Sequence, residues 1–372
     1  MANGSPRVAL VLGSSTGGIG RHVRSLIHAM IARGMPVEVY CPPGTADLFN
    51  YAATGVQVTT LDIPPTPGPR DFGAVTELRR ALRVAEVDIV HAHGLRAGFV
   101  AALARPGAVP LVVTWHNTFV ERGLRRVAHR ALARTVAGAA DVTLCASDEL
   151  VATATRLGAR SARLCMIAAP PLPEPIRSGA DVREEFGLPA DAPLVLSVGR
   201  LHPHKRHDVL VAAAARWRYL RPMPTVIIAG IGPAYRELAA QITIARAPVI
   251  LVGHRDDITD LLHAADLAVV TSDGEARQLF AQEVLGAGVA LVATSVGGIP
   301  EIVGDAAVLV PPGDVDAVDV AVRGMLAEPE RRAAYGTAGL IQAKTWPTEA
   351  DTIDQIVAVY AELARPAGSR RP

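Results

Sequence analysis

Aromatic residues and cysteine are scarce in this chain of 372 residues, at 4% and three residues respectively. Cys41, Cys145 and Cys165 form no C-x-x-C pair and have no histidine at metal-ligand spacing, so we expect reduced thiols in the core and no metal site. No apolar run approaches the ~20 residues of a membrane-spanning helix, and the N-terminus does not resemble a signal peptide. A cytoplasmic protein is therefore expected.

Excess charge is also lacking. The formal net charge is +1, so no nucleic-acid partner is expected. Half of the residues are hydrophobic and 20% are charged, which is typical of a folded globular protein. The length favours two domains, and few aromatics among many Ala, Val, Leu and Gly residues favour helices packed on parallel strands.

Short β-branched runs alternate with amphipathic helices along the whole chain, which predicts an α/β fold with doubly wound parallel sheets. The first strand is predicted over residues 7–12, RVALVL. The segment 168–179, AAPPLPEPIRSG, interrupts the alternation with its prolines and indicates an interdomain linker. We predict one Rossmann-like domain over residues 1–169 and a second over 177–346.

A glycine-rich loop, GSSTGGIG, follows the first predicted strand at Gly13–Gly20. Gly17 and Gly18 would let backbone amides approach an anion at the N-terminus of the next helix. A dinucleotide site would need G-x-G-x-x-G and an acidic residue at the end of the second strand. That strand ends in Tyr40-Cys41-Pro42, which disfavours NAD. A tight turn without a ligand remains the alternative.

Two cations follow a predicted strand in VGRLHPHKRHD, which ends at Gly199 and continues with Arg200 and Lys205. Ligands of open α/β sheets bind at the carboxyl ends of strands. An arginine fork and a lysine point charge at that edge can neutralise a diphosphate without a metal. The alternative is a pair of solvated surface cations.

Two glutamates, Glu275 and Glu283, stand in an E-x7-E arrangement after the predicted strand LAVVTS. The first would lie in the loop, where a carboxylate can reach a sugar. The second would lie on the following helix and could accept two hydrogen bonds from a ribose diol. The N-terminus of that helix would favour a bound phosphate. Two solvated carboxylates are the alternative.

Histidines occur in two groups. His91 and His93 lie on one predicted strand and are expected to point to opposite faces, one of them into the core. His202, His204 and His207 surround the Arg200–Lys205 segment. We interpret these three as part of a phosphate-binding loop and not as metal ligands.

Taken together, these motifs resemble the family 4 glycosyltransferases, which are retaining enzymes of GT-B fold. The chain is similar to bacterial phosphatidylinositol mannosyltransferases and polysaccharide-type group 1 transferases. The resemblance covers nearly the whole chain and rests on GGIGRHV, DIVHAH, a strand ending in His116, VGRLHPHK, AGIGP, E-x7-E and VGGIPEIV. It implies two Rossmann-like domains facing across a cleft, acceptor-binding first and donor-binding second. A final helix, at about residues 347–364, would pack back on the first domain.

The resemblance implies a nucleotide-sugar site in the second domain. Arg200 and Lys205 would bind the donor diphosphate from the loop that starts at Gly199. Glu283 would hold the ribose, and Glu275 would lie beside the donor sugar near the reacting centre.

Further site residues follow from the same resemblance. Gly253 and Arg255 would lie near the nucleobase. In the first domain, Gly17 and Gly18 would close over the phosphates or the acceptor. His116 would lie on the acceptor side, with its ring or backbone carbonyl near the anomeric carbon.

The implied reaction is transfer of a sugar, with retention of configuration, from a nucleotide-diphosphate sugar to a sugar, lipid or small-molecule acceptor, with no metal or other cofactor. The family usually follows the first glutamate with Gly-Phe-Gly. Here Ala276, Arg277 and Gln278 take those places and bring two side chains into the pocket region. A nucleotide-sugar epimerase or phosphorylase, and a catalytically silent nucleotide-sugar-binding protein, are the alternatives.

A cationic helix face is predicted over residues 122–134. Its basic residues recur at i, i+3, i+4, i+7 and i+8, on Arg122, Arg125, Arg126, His129 and Arg130. This face could make a peripheral contact with an anionic membrane. A solvated surface face is the alternative.

Overall fold

A computed structural model describes residues 5–15, 17–64, 66–117, 123–169, 172–189 and 191–364. By its internal contacts the chain divides into two units. The first comprises Met1–Ala168 and Pro347–Pro372, and the second comprises Ala169–Trp346. Each unit is built on a parallel sheet with helices between successive strands.

The first unit contains a seven-stranded sheet in the described part of the chain. Its strands are β1 (Val8–Leu12), β2 (Val37–Cys41), β3 (Gln57–Thr60), β4 (Ile89–His93), β5 (Leu111–Trp115), β6 (Val142–Cys145) and β7 (Ala162–Leu164). Its helices are α1 (Gly18–Ala32), α2 (Pro43–Leu48), α3 (Asp71–Val84), α4 (Leu95–Ala104), α5 (Gly123–Ala139) and α6 (Asp148–Arg156). The strand order is β3-β2-β1-β4-β5-β6-β7, with each pairing parallel.

The chain leaves β1 towards β2 and later returns to the other side of β1 with β4. In this register Leu12 pairs with His93, and His93 pairs with Thr114. The carboxyl ends of β1, β4 and β5 therefore lie side by side where the strand order reverses, which is the usual ligand position in such sheets. All three strands are buried along their whole length, as their apolar sequences predict.

The second unit has a six-stranded parallel sheet in the same part of the chain that the structure describes. Its strands are β8 (Leu194–Val198), β9 (Thr225–Ala229), β10 (Val249–Gly253), β11 (Leu267–Val270), β12 (Leu291–Thr294) and β13 (Val308–Val310), in the order β10-β9-β8-β11-β12-β13. Its helices are α7 (Gly179–Glu185), α8 (His207–Trp217), α9 (Tyr235–Ala245), α10 (Ile258–Ala264), α11 (Leu279–Gly286), α12 (Ile299–Val303), α13 (Val315–Ala327) and α14 (Pro329–Ala343). The order reverses between β8 and β11. The predicted α/β class with two doubly wound sheets is confirmed.

The proline-rich segment attaches to the second unit. The backbone amide of Ala169 donates to Gln282 Oε1 at 3.2 Å. The amide of Ile176 donates to Asp260 Oδ1 at 2.7 Å, and Arg177 Nε donates to Asp260 Oδ2 at 3.1 Å. These bonds explain why the second unit begins at Ala169 and not at the predicted residue 177.

The last helix, α15 (Glu349–Leu363), belongs to the first unit. A capping box between Thr348 and Asp351 fixes its start. Its buried face, which includes Ile356 and Tyr360, lies in the core cluster formed with β1, β2 and α1. This helix therefore closes the core of the first unit with residues that are distant in sequence.

The three cysteines are buried thiols, which agrees with their interpretation as core residues. Burial raises the pKa of the Cys41 and Cys145 thiols to about 12. Among the described residues, no helix is both long and apolar enough to cross a membrane.

Candidate active site

The loop after β8 is held rigidly by the loop after β9. The amide of Leu201 donates to the carbonyl of Ile231 at 3.0 Å. A Cβ on Gly230 would lie 1.9 Å from the Gly199 carbonyl oxygen, and one on Gly232 would lie 2.2 Å from that of Leu201. Since such contacts are sterically forbidden, both positions require glycine. The AGIGP motif thus fixes the backbone around the predicted diphosphate-binding arginine.

Arg200 projects from that braced loop. Its side chain is exposed and has no hydrogen bond or ion pair with the described residues. Burial, and then the positive charges of Arg200 and Lys205, lower the pKa of His202. Both predicted phosphate-binding cations therefore lie close to the same imidazole.

Lys205 and Glu275 form an ion pair. Lys205 Nζ donates to Glu275 Oε1 at 2.5 Å, and the two side chains are only 16% and 11% exposed. The same oxygen accepts hydrogen bonds from Ser272 Oγ at 2.6 Å and from Gln278 Nε2 at 3.2 Å. The second carboxylate oxygen, Oε2, has no hydrogen-bond partner among the described residues. Glu275 therefore has one saturated oxygen and one available oxygen.

The pair is positioned by contacts between the loops that follow β8 and β11, which are neighbours in the sheet. The amide of Asp273 donates to the carbonyl of His204 at 2.8 Å. Thr271 Oγ1 donates to the carbonyl of Arg206 at 2.9 Å, and Arg206 Nη1 pairs with Asp273 Oδ1 at 3.0 Å. Burial lowers the pKa of His204 to about 4, with the nearby Lys205 charge contributing, so this ring is neutral.

A third loop, after β12, holds the backbone of Glu275. The amide of Gly298 donates to the Glu275 carbonyl at 2.9 Å. Gly297 has φ +52°, and a Cβ there would lie 1.9 Å from the same carbonyl oxygen. The VGGIPEIV motif therefore acts by packing on Glu275, a role that sequence reasoning missed. The paired glycines directly after a strand were the available signal.

Three residues replace the family's Gly-Phe-Gly. Ala276 and Gln278 are buried, and the Gln278 amide is turned towards Glu275. Arg277 is half-buried, and its Nη2 lies 3.5 Å from Gln282 Oε1, a long contact. Glu283 follows on α11 and is 7% exposed, so its carboxylate is not simply solvated.

Gly253 and Arg255 differ in whether their surroundings leave them accessible to a ligand. Gly253 has φ +74° and open space around its Cα, which leaves its backbone accessible. The Arg255 guanidinium makes ion pairs with Glu185 at 2.7 Å and with Asp257 at 2.6 Å. These hydrogen bonds hold the pKa of Arg255 above its usual value. Arg255 thus stabilises the second unit, and its place near a nucleobase stays a prediction.

The glycine loop of the first unit contains two kinds of glycine. Gly17 caps α1 with open space where a Cβ would stand, and Gly18 is the first residue of the helix. A Cβ on Gly20, by contrast, would lie 1.9 Å from the Phe49 ring. Packing therefore explains Gly20 but not Gly17, which stays a candidate for ligand approach.

Four histidines of the first unit, from α1, from β4 and from the residue after β5, cluster together. The rings of His91 and His93 lie 4.2 Å apart, so the prediction that they point to opposite faces is wrong. Residues two apart on a strand share one face. His116 Nε2 lies 3.1 Å from His93 Nδ1, and the His22 ring lies 5.6 Å from that of His116.

The histidine cluster, formed by His22, His91, His93 and His116, is uncharged. Burial lowers the pKa of His22 to about 4 and that of His91 to about 3. Burial, followed by the neighbouring rings, also holds the pKa of His93 and of His116 well below the usual range. In the described part of the chain, no group of three or more His, Cys, Asp or Glu residues is arranged to hold a metal.

Comparisons with known proteins agree with this architecture. Residues 17–170 match the family described as "Glycosyl transferase 4-like domain", and residues 192–328 match "Glycosyl transferases group 1". Glycogen synthase from Mycobacterium tuberculosis is 32% identical, over 96% of this chain and 93% of the relative. D-inositol 3-phosphate glycosyltransferase from Acidothermus cellulolyticus is 29% identical, over 93% of this chain and 86% of the relative.

Solved structures share the fold. Anabaena HepE, solved in complex with UDP and glucose, has a TM-score of 0.80 at 20% identity, covering 96% of this chain and 99% of that chain. Sucrose-phosphate synthase from Thermosynechococcus elongatus has a TM-score of 0.79 at 24% identity, covering 96% and 99%. The fold and the relatives define an enzyme of the GT-B glycosyltransferase class.

The chain belongs to the family 4 glycosyltransferases, as the order of its motifs indicated.

The close approach of Gly297 to Glu275 predicts a selective loss of stability. Gly297→Ala should lower the free energy of unfolding of the second unit by about 2–4 kcal/mol, because positive-φ strain adds to the clash. The control is Gly187→Ala, where φ is +64° with open space around the Cα, and where only the strain is expected. Equal losses in urea unfolding of both variants would show that Glu275 does not constrain this position.

The neutral histidine cluster predicts acid sensitivity. His22 has a pKa of about 4 in the folded protein against 6.5 ordinarily, so the unfolded chain binds more protons between these values. The stability that neutral His22 contributes is therefore present above pH 6.5 and is lost as pH falls towards 4. His22→Gln should flatten the fall in unfolding free energy across this window, relative to the wild type. Identical pH slopes in the two proteins would contradict the assignment.

Proposed function

We propose that this glycosyltransferase moves a sugar, with retention of configuration and without a metal, from a nucleotide-diphosphate sugar to an acceptor hydroxyl. The observation that carries the proposal is the ion pair between Lys205 and Glu275 at the carboxyl ends of β8 and β11, with the exposed Arg200 in the same loop as Lys205. The pKa of His204 responds, after burial, to the charges of all three. Two cations beside one carboxylate match a diphosphate joined to a sugar.

Lys205 and Glu275 can bind the donor together without breaking their ion pair. A lysine ammonium has three N–H donors, of which Glu275 accepts one. The remaining donors can reach phosphate oxygens, while Glu275 Oε2 can accept a hydrogen bond from a sugar hydroxyl. Gln278 and Ser272 keep the carboxylate in this orientation through its other oxygen.

Stabilisation of the leaving group is the main catalytic contribution in this mechanism. Negative charge develops on the departing diphosphate, where Arg200, Lys205 and the N-terminus of α11 would stabilise it. The acceptor oxygen attacks from the face that the diphosphate leaves. A phosphate oxygen of the leaving group takes the acceptor proton, so no protein base is required. The ribose would bind the carboxylate of Glu283.

The comparisons support a nucleotide sugar as the donor. HepE has been solved with UDP and also with UDP-glucose. The names of the two relatives above refer to glycogen and to D-inositol 3-phosphate, which are different kinds of acceptor. The proposal therefore specifies an acceptor hydroxyl on a sugar, lipid or small molecule.

A thermal-shift screen of UDP, GDP, ADP and their sugar conjugates tests the donor site. One nucleotide should raise the midpoint of unfolding by about 5 °C near 100 times its Kd, and EDTA should not change the shift. Arg200→Ala should abolish the shift, because it removes the exposed diphosphate cation. Arg323→Ala, at an exposed position on α13, is the matched control and should retain it. No shift with any nucleotide at millimolar concentration, or a shift lost with EDTA, would contradict the proposal.

We also propose that α5 makes a peripheral contact with an anionic membrane. Arg126 and Arg130 are exposed on α5, and Arg134, which sequence reasoning did not include, continues the row. None of the three forms an ion pair with the described residues. Val127 is exposed beside them. Arg122 and the side chain of Arg125 lie outside the described residues.

Vesicle sedimentation tests this contact. Binding to phosphatidylglycerol vesicles should weaken about 100-fold when Arg126, Arg130 and Arg134 are all replaced by glutamine, because each basic residue near an anionic surface contributes about 1 kcal/mol. Phosphatidylcholine vesicles should bind neither protein.

The matched control removes the same charge from other exposed helix positions, Arg24, Arg80 and Arg83. This control should bind the anionic vesicles nearly as well as the wild type. Equal loss in both triple variants would indicate an effect of net charge and would exclude a specific face on α5.

A further inference from the structure

One hydrogen bond inside the histidine cluster links two rings at the ends of neighbouring strands. His93 Nδ1 lies 3.1 Å from His116 Nε2. Both rings are neutral, and a neutral imidazole has one N–H donor and one bare nitrogen. One of the two facing nitrogens must therefore carry the hydrogen while the other accepts it.

The remaining neighbours do not compete for this bond. Both ring nitrogens of His91 are engaged, Nδ1 with Tyr360 Oη at 2.6 Å and Nε2 with Thr114 Oγ1 at 2.7 Å. The His22 ring approaches His93 edge-on, with centroids 5.7 Å apart, and its own Nε2 has no hydrogen-bond partner in the described part of the chain. Within this cluster, His116 is thus the hydrogen-bonding partner of His93.

The second ring nitrogen of His93, Nε2, determines which of the two rings donates the hydrogen bond. His93 is 3% exposed, and its Nε2 is buried without a partner among the described residues. A hydrogen on Nε2 would be a buried, unpaired N–H, which is rarer and costlier than an unpaired acceptor. A hydrogen on Nδ1 avoids that cost and is correctly placed to donate to His116 Nε2.

The tautomer of His116 follows from this direction. Since its Nε2 accepts a hydrogen bond, the single hydrogen of the neutral His116 ring must lie on Nδ1. His116 is half-buried, and its Nδ1 has no hydrogen-bond partner among the described residues. The Nδ1–H group is therefore not engaged by the described residues and can donate to a ligand.

We propose that His93 is a positioning residue that holds His116 in the Nδ1–H tautomer, so that His116 presents a hydrogen-bond donor, and not a base, to a ligand oxygen. The identity of that ligand, a sugar hydroxyl or phosphate oxygen, rests on the proposed function. The tautomer itself does not depend on it.

Nitrogen NMR of the full chain with 15N-labelled histidine tests the tautomer directly, in the absence of any substrate. The ring signals of His116 are identified by their loss in His116→Gln. Their correlation pattern at pH 7.5 should be that of the Nδ1–H form. An Nε2–H pattern, or a doubly protonated ring, would overturn the proposal.

Two variants test the role of His93. His93→Leu removes the donor, so His116 should shift to the Nε2–H form and the rate of transfer should fall about tenfold, the size expected for one lost hydrogen bond. His93→Asn carries an amide near the position of Nδ1 and should restore both the Nδ1–H pattern and most of the rate. An unchanged His116 spectrum in His93→Leu, or equal effects of the two variants in folded proteins, would overturn the proposal.

If the proposed function is wrong, the transfer assay and the His116 spectra give different answers. In that case no nucleotide sugar supports transfer in the wild type, while the His116 spectra of the wild type and the two variants still decide the tautomer.

Discussion

The candidate site of the second unit depends on one ion pair, between Lys205 and Glu275. Its two side chains are almost out of water, so part of their attraction offsets the cost of desolvation. The pair persists because β8 and β11 are adjacent and their loops bond to each other through Asp273 and His204. Partly buried charges at the point where the strand order reverses are typical of functional sites. Arg200 adds an exposed second cation close to this pair.

Glycines around the ion pair convert flexible loops into a rigid support. Gly230 and Gly232 pack on the backbone beside Arg200, and Gly297 packs on the carbonyl of Glu275. Preorganised charges of this kind stabilise a leaving group without reorganisation during the reaction. The first unit contributes a different chemistry at the ends of its own strands, because its buried histidine cluster is neutral.

The sequence predicted the central strands because parallel strands buried on both faces are continuous apolar runs. It did not reveal β3 and β7, which lie at the sheet edges, are short and are only partly buried. Arg200 and Lys205 were selected as candidates because they lie in the segment that follows a strand, and their role stays a prediction. The bonds from Ser272 and Gln278 to Glu275 depend on loop conformation, which has no periodic pattern. The shared face of His91 and His93 could have been predicted from the sequence, because residues two apart on a strand lie on the same face.

The most direct test of the donor site is calorimetric titration of UDP, GDP and ADP into the wild type and Glu275→Gln. A diphosphate bound at Lys205 lies a few ångströms from the Glu275 carboxylate, so removing that negative charge should strengthen binding of the preferred nucleotide about tenfold. The amide retains the size of the side chain and its ability to accept from Ser272. Unchanged or weaker binding in the variant would contradict a diphosphate site beside this ion pair.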